Sequence, residues 1–247
     1  MIAALPMYDR PETAGALDRL WAGTRARLRV AGLAAPEALS CGGDLWAQWR
    51  SPDLVLGQTC GLPYRAHLHP YVTLIATPDH ALPGCPPGHY RSVLICAADD
   101  VRETAAFSGA PMAFNEALSQ SGWAAPQAHF AARGLAIRPA LETGSHQASA
   151  RAVAEGRAAF AAVDAVCWEM LRRWEPFTAR LRVFDRTEPA PALPFIAARG
   201  ADGDAIRRAL GAAFAALAPR DRGTLAMRGL VALPASTYLA LPLPPAP

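Results

Sequence analysis

The chain has 247 residues, 52% of them hydrophobic and 18% charged, which is length enough for one large domain or two lobes with an ample core. Its net charge of +3 rests on 24 basic residues, every one an arginine and all scattered, so nucleic acid is not expected as a partner, and no apolar run reaches the length of a membrane span. Five cysteines (Cys41, Cys60, Cys85, Cys96, Cys167) stand apart with no CxxC pair, which speaks against both a disulfide framework and a zinc site.

Ile2 to Met7 reads as an opening strand, and Pro11-Glu12 starts a helix that carries Leu17, Leu20, Trp21, Thr24 and Leu28 at helical spacing until Gly32. Asp44 to Arg50 is a short helix and Asp53 to Gly57 a buried strand. Two further strands, Tyr71 to Thr77 and Tyr90 to Ala97, flank the Pro/Gly segment 83–88. Alternation continues with a helix over Val101 to Phe107, a strand over Ala110 to Phe114, a helix over Gly122 to Ala132 and a strand over Ala140 to Thr143. A helix over Gln147 to Glu155 follows, with Gly156 as its stop, then a strand over Ala158 to Val163. Asp164 sits where an N-cap belongs, before Cys167, Met170, Leu171 and Trp174 at i, i+3, i+4, i+7. Leu181 to Phe184 is a strand that leads into a second Pro-rich crossing at 186–191. Phe195 to Ala198 is the last strand, followed by a helix through Ile206, Leu210, Phe214 and Leu217, a short helix near Asp221 to Met227, and a Pro-rich tail.

This alternation predicts an α/β protein with mostly parallel sheets. The two crossings divide it into a discontinuous lobe 1, residues 1–86 plus 190–247, and a continuous lobe 2, residues 87–189. Three β-like runs end in small hydroxyl and glycine residues: Gly57-Gln58-Thr59-Cys60-Gly61, Asn115 to Gly122, and Thr143-Gly144-Ser145-His146. A strand that delivers Gly, Ser and Thr to the first turn of a helix presents free N–H groups and hydroxyls, an arrangement that holds an anion without a metal.

The opening strand with Tyr8-Asp9, then Gly57 to Gly61, Tyr90-Arg91-Ser92, Ser119-Gln120-Ser121-Gly122, Thr143 to His146 and Ala162-Val163-Asp164 come in an order that resembles the phosphate/phosphite/phosphonate substrate-binding proteins of ABC importers. The resemblance spans nearly the whole chain. It implies a type 2 periplasmic-binding-protein fold, two α/β lobes joined by hinge crossings that close on a small oxyanion or organophosphonate. It also implies an ABC permease as partner, a monomer, and no cofactor. Carried over by motif, the anion loop is Ser119, Gln120, Ser121 and Gly122, with Thr143, Ser145 and His146 beside it and Asp164 as a carboxylate for a ligand amine. Tyr8, Gln58, Thr59 and Tyr64 would come from the opposite lobe. Tyr90 and Trp123 would line the cleft.

Each of these residues has a plainer reading. Ser119, Ser121 and Asp164 could be helix caps, Gln58-Thr59 a tight turn, and Cys60 a small buried side chain rather than a nucleophile. His146 follows Thr-Gly-Ser at a helix start, where the dipole disfavours an imidazolium unless an anion is present. A cytosolic enzyme or a ligand sensor on the same scaffold is the alternative, with His146 and Asp164 as the acid/base pair. The segment Met1 to Met7 lacks a basic n-region, so the sequence as written reads as cytoplasmic, or as periplasmic if a leader has been removed.

Overall fold

The computed structural model describes residues 1–247. In chain order the elements are β1 (Ile2–Ala4), α1 (Pro11–Val30), α2 (Leu45–Trp49), β2 (Leu54–Gln58), α3 (Gly61–Pro63) with a π turn at Tyr64–Leu68, β3 (Val72–Asp79), β4 (His89–Tyr90) and β5 (Ser92–Ala97). Next come β6 (Pro111–Phe114), a π turn at Gln120–Ala124 running into α4 (Ala125–Ala131), β7 (Arg138–Glu142), α5 (His146–Ala154), β8 (Phe160–Asp164), α6 (Ala165–Trp174), β9 (Leu181–Arg186) and β10 (Ala190–Pro191). The chain closes with β11 (Phe195–Ala198), α7 (Gly203–Ala216), α8 (Pro219–Thr224), β12 (Gly229–Val231) and α9 (Ala235–Leu239).

Two compact units result. The first holds residues 1–83, 87–89 and 191–241, and the second residues 84–86, 90–190 and 242–247. The tail therefore divides, and its last six residues group with the second unit. Trp123 Nε1–H donates to the carbonyl of Pro245 at 2.8 Å.

The first unit is built on a sheet of order β1-β2-β11-β3-β12, in which β1 and β2 run parallel and the other pairings antiparallel. The second has the order β7-β6-β8-β5-β9, parallel from β7 to β8 and antiparallel beyond. The sheets are thus mixed rather than mostly parallel. Parallel neighbours need a crossover, and α1, α4 and α5 supply it where parallel pairs occur. β11 and β12 follow the second unit in the chain, and both pair antiparallel with their neighbours.

In the first unit α1 and α7 cover one face, where Leu17, Leu20 and Trp21 meet Ile206, Leu210 and Phe214. Reciprocal bonds between Arg10 and Thr13 start α1, and Asp202 caps α7 by accepting from Ala205 N–H at 2.9 Å. On the other face Trp49, Leu54, Leu68, Ile196 and Tyr238 form a second apolar layer, and Tyr64 belongs to it. The π turn buries its ring to 2% exposure and sets it edge-on to Tyr238 at 5.1 Å, packing Tyr64 into this apolar layer.

The second unit's core gathers Leu94, Met112, Phe114, Trp123, Phe130 and Phe160, and Phe107 stacks on Phe184 at 4.2 Å. Trp123, expected at a ligand, is buried here against Phe114. The helix expected over Val101 to Phe107 is only a 3-10 turn at Thr104–Phe107. Arg102 pairs with Asp100, and Arg182 donates to the Arg102 carbonyl, which holds 100–102 out of helical geometry.

The Pro-rich tail conceals β12 and α9. Tyr238 on α9 donates to the Ala192 carbonyl at 2.7 Å and shares a 2.7 Å bond with Thr77 Oγ1, while burial pushes its phenol well above the usual range. Tyr238→Phe strands both partners inside the unit and is expected to lower unfolding free energy by about 1–3 kcal/mol in urea denaturation. An unchanged midpoint would mean that α9 is not locked in place by these bonds.

Candidate functional site

Strands β7, β6 and β8 of the second unit run parallel and so finish at one edge of the sheet. There each gives way to a polar residue: Thr143 after β7, Asn115 after β6, and Asp164 as the last residue of β8. β5 runs the other way and begins at this edge, with Ser92 directly across from Asp164. The carboxyl edge of parallel strands is where α/β sheets take ligands, because loops and helix N-termini collect there.

After β6, Ser119 caps the π turn by accepting the Gly122 N–H at 2.9 Å. A Cβ at 122 would lie 1.8 Å from Asn115 Oδ1, so glycine there is what lets the Asn115 side chain lie against the turn. The Ser121 carbonyl accepts from Ser92 Oγ at 2.8 Å, and Ser92 N–H in turn donates to Thr187 Oγ1 at 3.0 Å. With its backbone fixed in this way, Ser121 places Oγ 2.8 Å from His146 Nε2.

After β7 the chain turns at Gly144, whose φ of +81° is left-handed and suits glycine. Gly144 N–H donates to the Asn115 carbonyl at 2.8 Å and Thr143 N–H to that of Phe114 at 2.9 Å, lacing the two loops together. Ser145 Oγ caps α5 through the Ala148 N–H at 3.1 Å. His146 is thereby the first residue of that helix, over its positive end. The residue keeps part of its surface in solvent while Nδ1 itself is sealed. Desolvation of the ring pushes its pKa down to about 4, against a smaller opposing pull from the Ala162 carbonyl. The imidazole is therefore neutral at physiological pH.

Of the residues expected at this site, the structure brings Ser119, Gln120, Ser121, Gly122, Thr143, Ser145, His146 and Asp164 to one edge. Several are structural there. Asp164 Oδ1 accepts from Val166 N–H at 2.7 Å and Cys167 N–H at 3.2 Å as the cap of α6, with no hydrogen bond to His146, so the acid/base pair is not formed. Thr143 Oγ1 lies 2.7 Å from Ser149 Oγ in a partly buried knot, and Ser119, Gln120, Ser121 and Tyr90 are themselves buried.

Tyr8, Gln58 and Thr59 are buried in the first unit. Tyr8 sits edge-on to His80 at 5.5 Å, Gln58 Nε2 donates to the Leu193 carbonyl at 3.3 Å, and Thr59 N–H donates to that of Pro194 at 3.1 Å. His80 was not singled out by sequence, nor were Ser92 and Asn115 as site residues. Ser92 does lie in the Tyr90-Arg91-Ser92 stretch, and a serine opening an otherwise apolar strand, Ser92-Val93-Leu94-Ile95, is a further signal for it. A groove of about 470 Å³ beside the C-terminal end of α6, lined by Arg172, Arg173 and Glu175, contains none of the loop residues.

Two mixed α/β sheets visited discontinuously by the chain define the fold of the type 2 periplasmic binding proteins, and solved structures agree. PhnD1 from Prochlorococcus marinus in complex with methylphosphonate superposes with a TM-score of 0.76 at 17% identity, covering 96% of this chain and 93% of that one. A Xanthomonas citri protein bound to chloride ion gives 0.69 at 16% identity over 97% and 98%. A binding protein component of an ABC phosphonate transporter from Pseudomonas aeruginosa gives 0.67 at 16% identity over 97% and 83%. No curated protein sequence matches the chain. The model of the family described as "ABC transporter, phosphonate, periplasmic substrate-binding protein" matches residues 56–235, and the chain belongs to that family. Its function is solute binding for ABC transport. No helix is long and apolar enough to cross a membrane.

The buried imidazole makes stability depend on pH. His146 stays neutral in the native state down to about 4 while the unfolded chain takes up a proton near the ordinary 6.5, so the stability it contributes is full above 6.5 and is lost as pH falls through that window. Burial also lowers the pKa of His80 and acts in the same direction. Thermal melts at pH 7 and pH 5 are expected to show a smaller acid-induced loss for His146→Gln than for the parent, and equal losses would contradict the burial of the ring.

Proposed function

We propose that the solute is a small phosphorus oxyanion, of the phosphate, phosphite or alkylphosphonate type, and that the second unit grips it through the hydroxyl and first-turn amide of Ser121, with His146 as the partner that orients that hydroxyl and Gln120 and Gly122 shaping the turn. The observation that carries this reading is the Ser121–His146 pair, two polar side chains from separate loops joined at 2.8 Å on the carboxyl edge of a parallel sheet. The groups around it are hydroxyls, amides and a neutral ring. Oriented neutral donors at helix N-termini solvate an anion without a counter-charge when water is excluded. Ser119, Ser145 and Asp164 serve this arrangement by capping helix starts, and Thr143 by tying its loop to the Phe114 and Ser145 carbonyls. Tyr8, Gln58 and Thr59 are proposed ligand residues of the first unit, with Tyr90 a further one in the second. The similar structures point the same way, with methylphosphonate bound to the Prochlorococcus protein. On this reading the loaded protein serves an ABC permease from the periplasmic side.

Isothermal titration calorimetry against methylphosphonate, phosphite, phosphate and sulfate tests the proposal. Binding of at least one phosphorus oxyanion is expected, and Ser121→Ala should weaken it by about 10–100-fold, the factor set by losing one hydrogen bond to a charged group. No heat with any phosphorus oxyanion, or an unaffected Ser121→Ala, would overturn it.

A further inference from the structure

Asn115 stands at the centre of the two loops. Its carbonyl holds Gly144 N–H, and its side chain lies across Gly122, where Oδ1 would be 1.8 Å and Cγ 2.9 Å from a Cβ. The residue retains 9% exposure, and Oδ1 is sealed with no hydrogen-bond partner. A side-chain amide buried to this degree is ordinarily paired at both ends, and leaving it unpaired opposes folding. Neither capping nor the lacing of the loops accounts for it, because those bonds use the Asn115 backbone and the Ser119 and Ser145 hydroxyls.

The orientation of the amide suggests its use. A carbonyl oxygen against a glycine Cα–H is a weakly favourable contact, whereas an NH₂ group there would be repelled. With Oδ1 sealed against Gly122, Nδ2 is the unsealed end of the amide, the one left to donate to a bound molecule. It belongs to the same short stretch as Ser119, whose Oγ would be 3.1 Å from a Cβ on Gly122.

We propose that Asn115 is a further ligand-contact and specificity residue, donating Nδ2–H to an oxygen of the bound oxyanion beside the Ser121 hydroxyl. This rests on the reading of the loop as an anion site. Asn115 is then kept for the ligand at the expense of the free protein, a trade-off between stability and binding common at functional positions.

The test compares the parent, Asn115→Ala and Asn115→Asp by calorimetry with methylphosphonate, phosphite and phosphate, and by thermal melting without ligand. For the best of these ligands, Asn115→Ala is expected to bind at least about tenfold more weakly, while its ligand-free melting temperature is unchanged or raised. Asn115→Asp, similar in shape but with oxygen in place of NH₂, is expected to bind more weakly still. Parent-like affinity in both variants overturns the proposal while leaving the anion reading intact. A lowered melting temperature with unchanged affinity in Asn115→Ala assigns the side chain to packing alone and also overturns it. Absence of binding by the parent overturns the anion reading itself, and this inference with it.

Discussion

The 2.8 Å bond between Ser121 Oγ and His146 Nε2 is the contact on which the site depends. It exists because two parallel strands, β6 and β7, finish side by side and because each loop is stitched to its neighbour before either side chain is placed. Ser92 holds the Ser121 carbonyl, Asn115 holds Gly144, and Ser145 starts the helix whose first residue is His146. Removing any of these supports would leave the pair to chance rotamers. Burial keeps the imidazole uncharged, so the ring can act as a hydrogen-bonding partner and not as a counter-ion. An anion held by such groups is recognised by geometry, and substitutions that alter loop shape should matter as much as those that alter charge.

Long, strongly patterned elements could be read directly from the residues. Helix α6 starts after the expected cap Asp164 and ends at Trp174, the last position of the expected stripe, and β11 coincides with Phe195 to Ala198, since an N-cap aspartate and a clean apolar stripe mark the first and a bounded apolar run the second. Strand direction could not be read, because residue patterns do not record which neighbours a strand will have. β11 lies between β2 and β3 only after the chain has built the second unit. The tail hid β12 and α9 behind prolines, and α9 starts without a capping side chain to mark it. The burial of Tyr64 and Trp123 could not be read either, because an aromatic beside a polar loop has the same pattern whether its ring turns outward or into the core.

The site was partly legible for a physical reason. Glycine and hydroxyl residues at strand ends are conspicuous, and the loops through Gly122 and His146 carry them in dense runs. What sequence could not separate was capping from ligand contact. Asp164 and Ser145 make the bonds that any N-cap makes, and only the hydrogen-bond partners reveal it. Ser92 and Thr187 lie 95 residues apart in the chain yet are bonded to each other, so no local pattern could have joined them to Ser121.

The central claim is that the anion engages the Ser121–His146 pair, and the ¹⁵N resonances of the His146 ring report on this directly. On titration with methylphosphonate the account predicts a change at Nε2 that saturates with the calorimetric affinity, with the imidazole remaining neutral at pH 7. Saturating binding with the His146 resonances unmoved would contradict it.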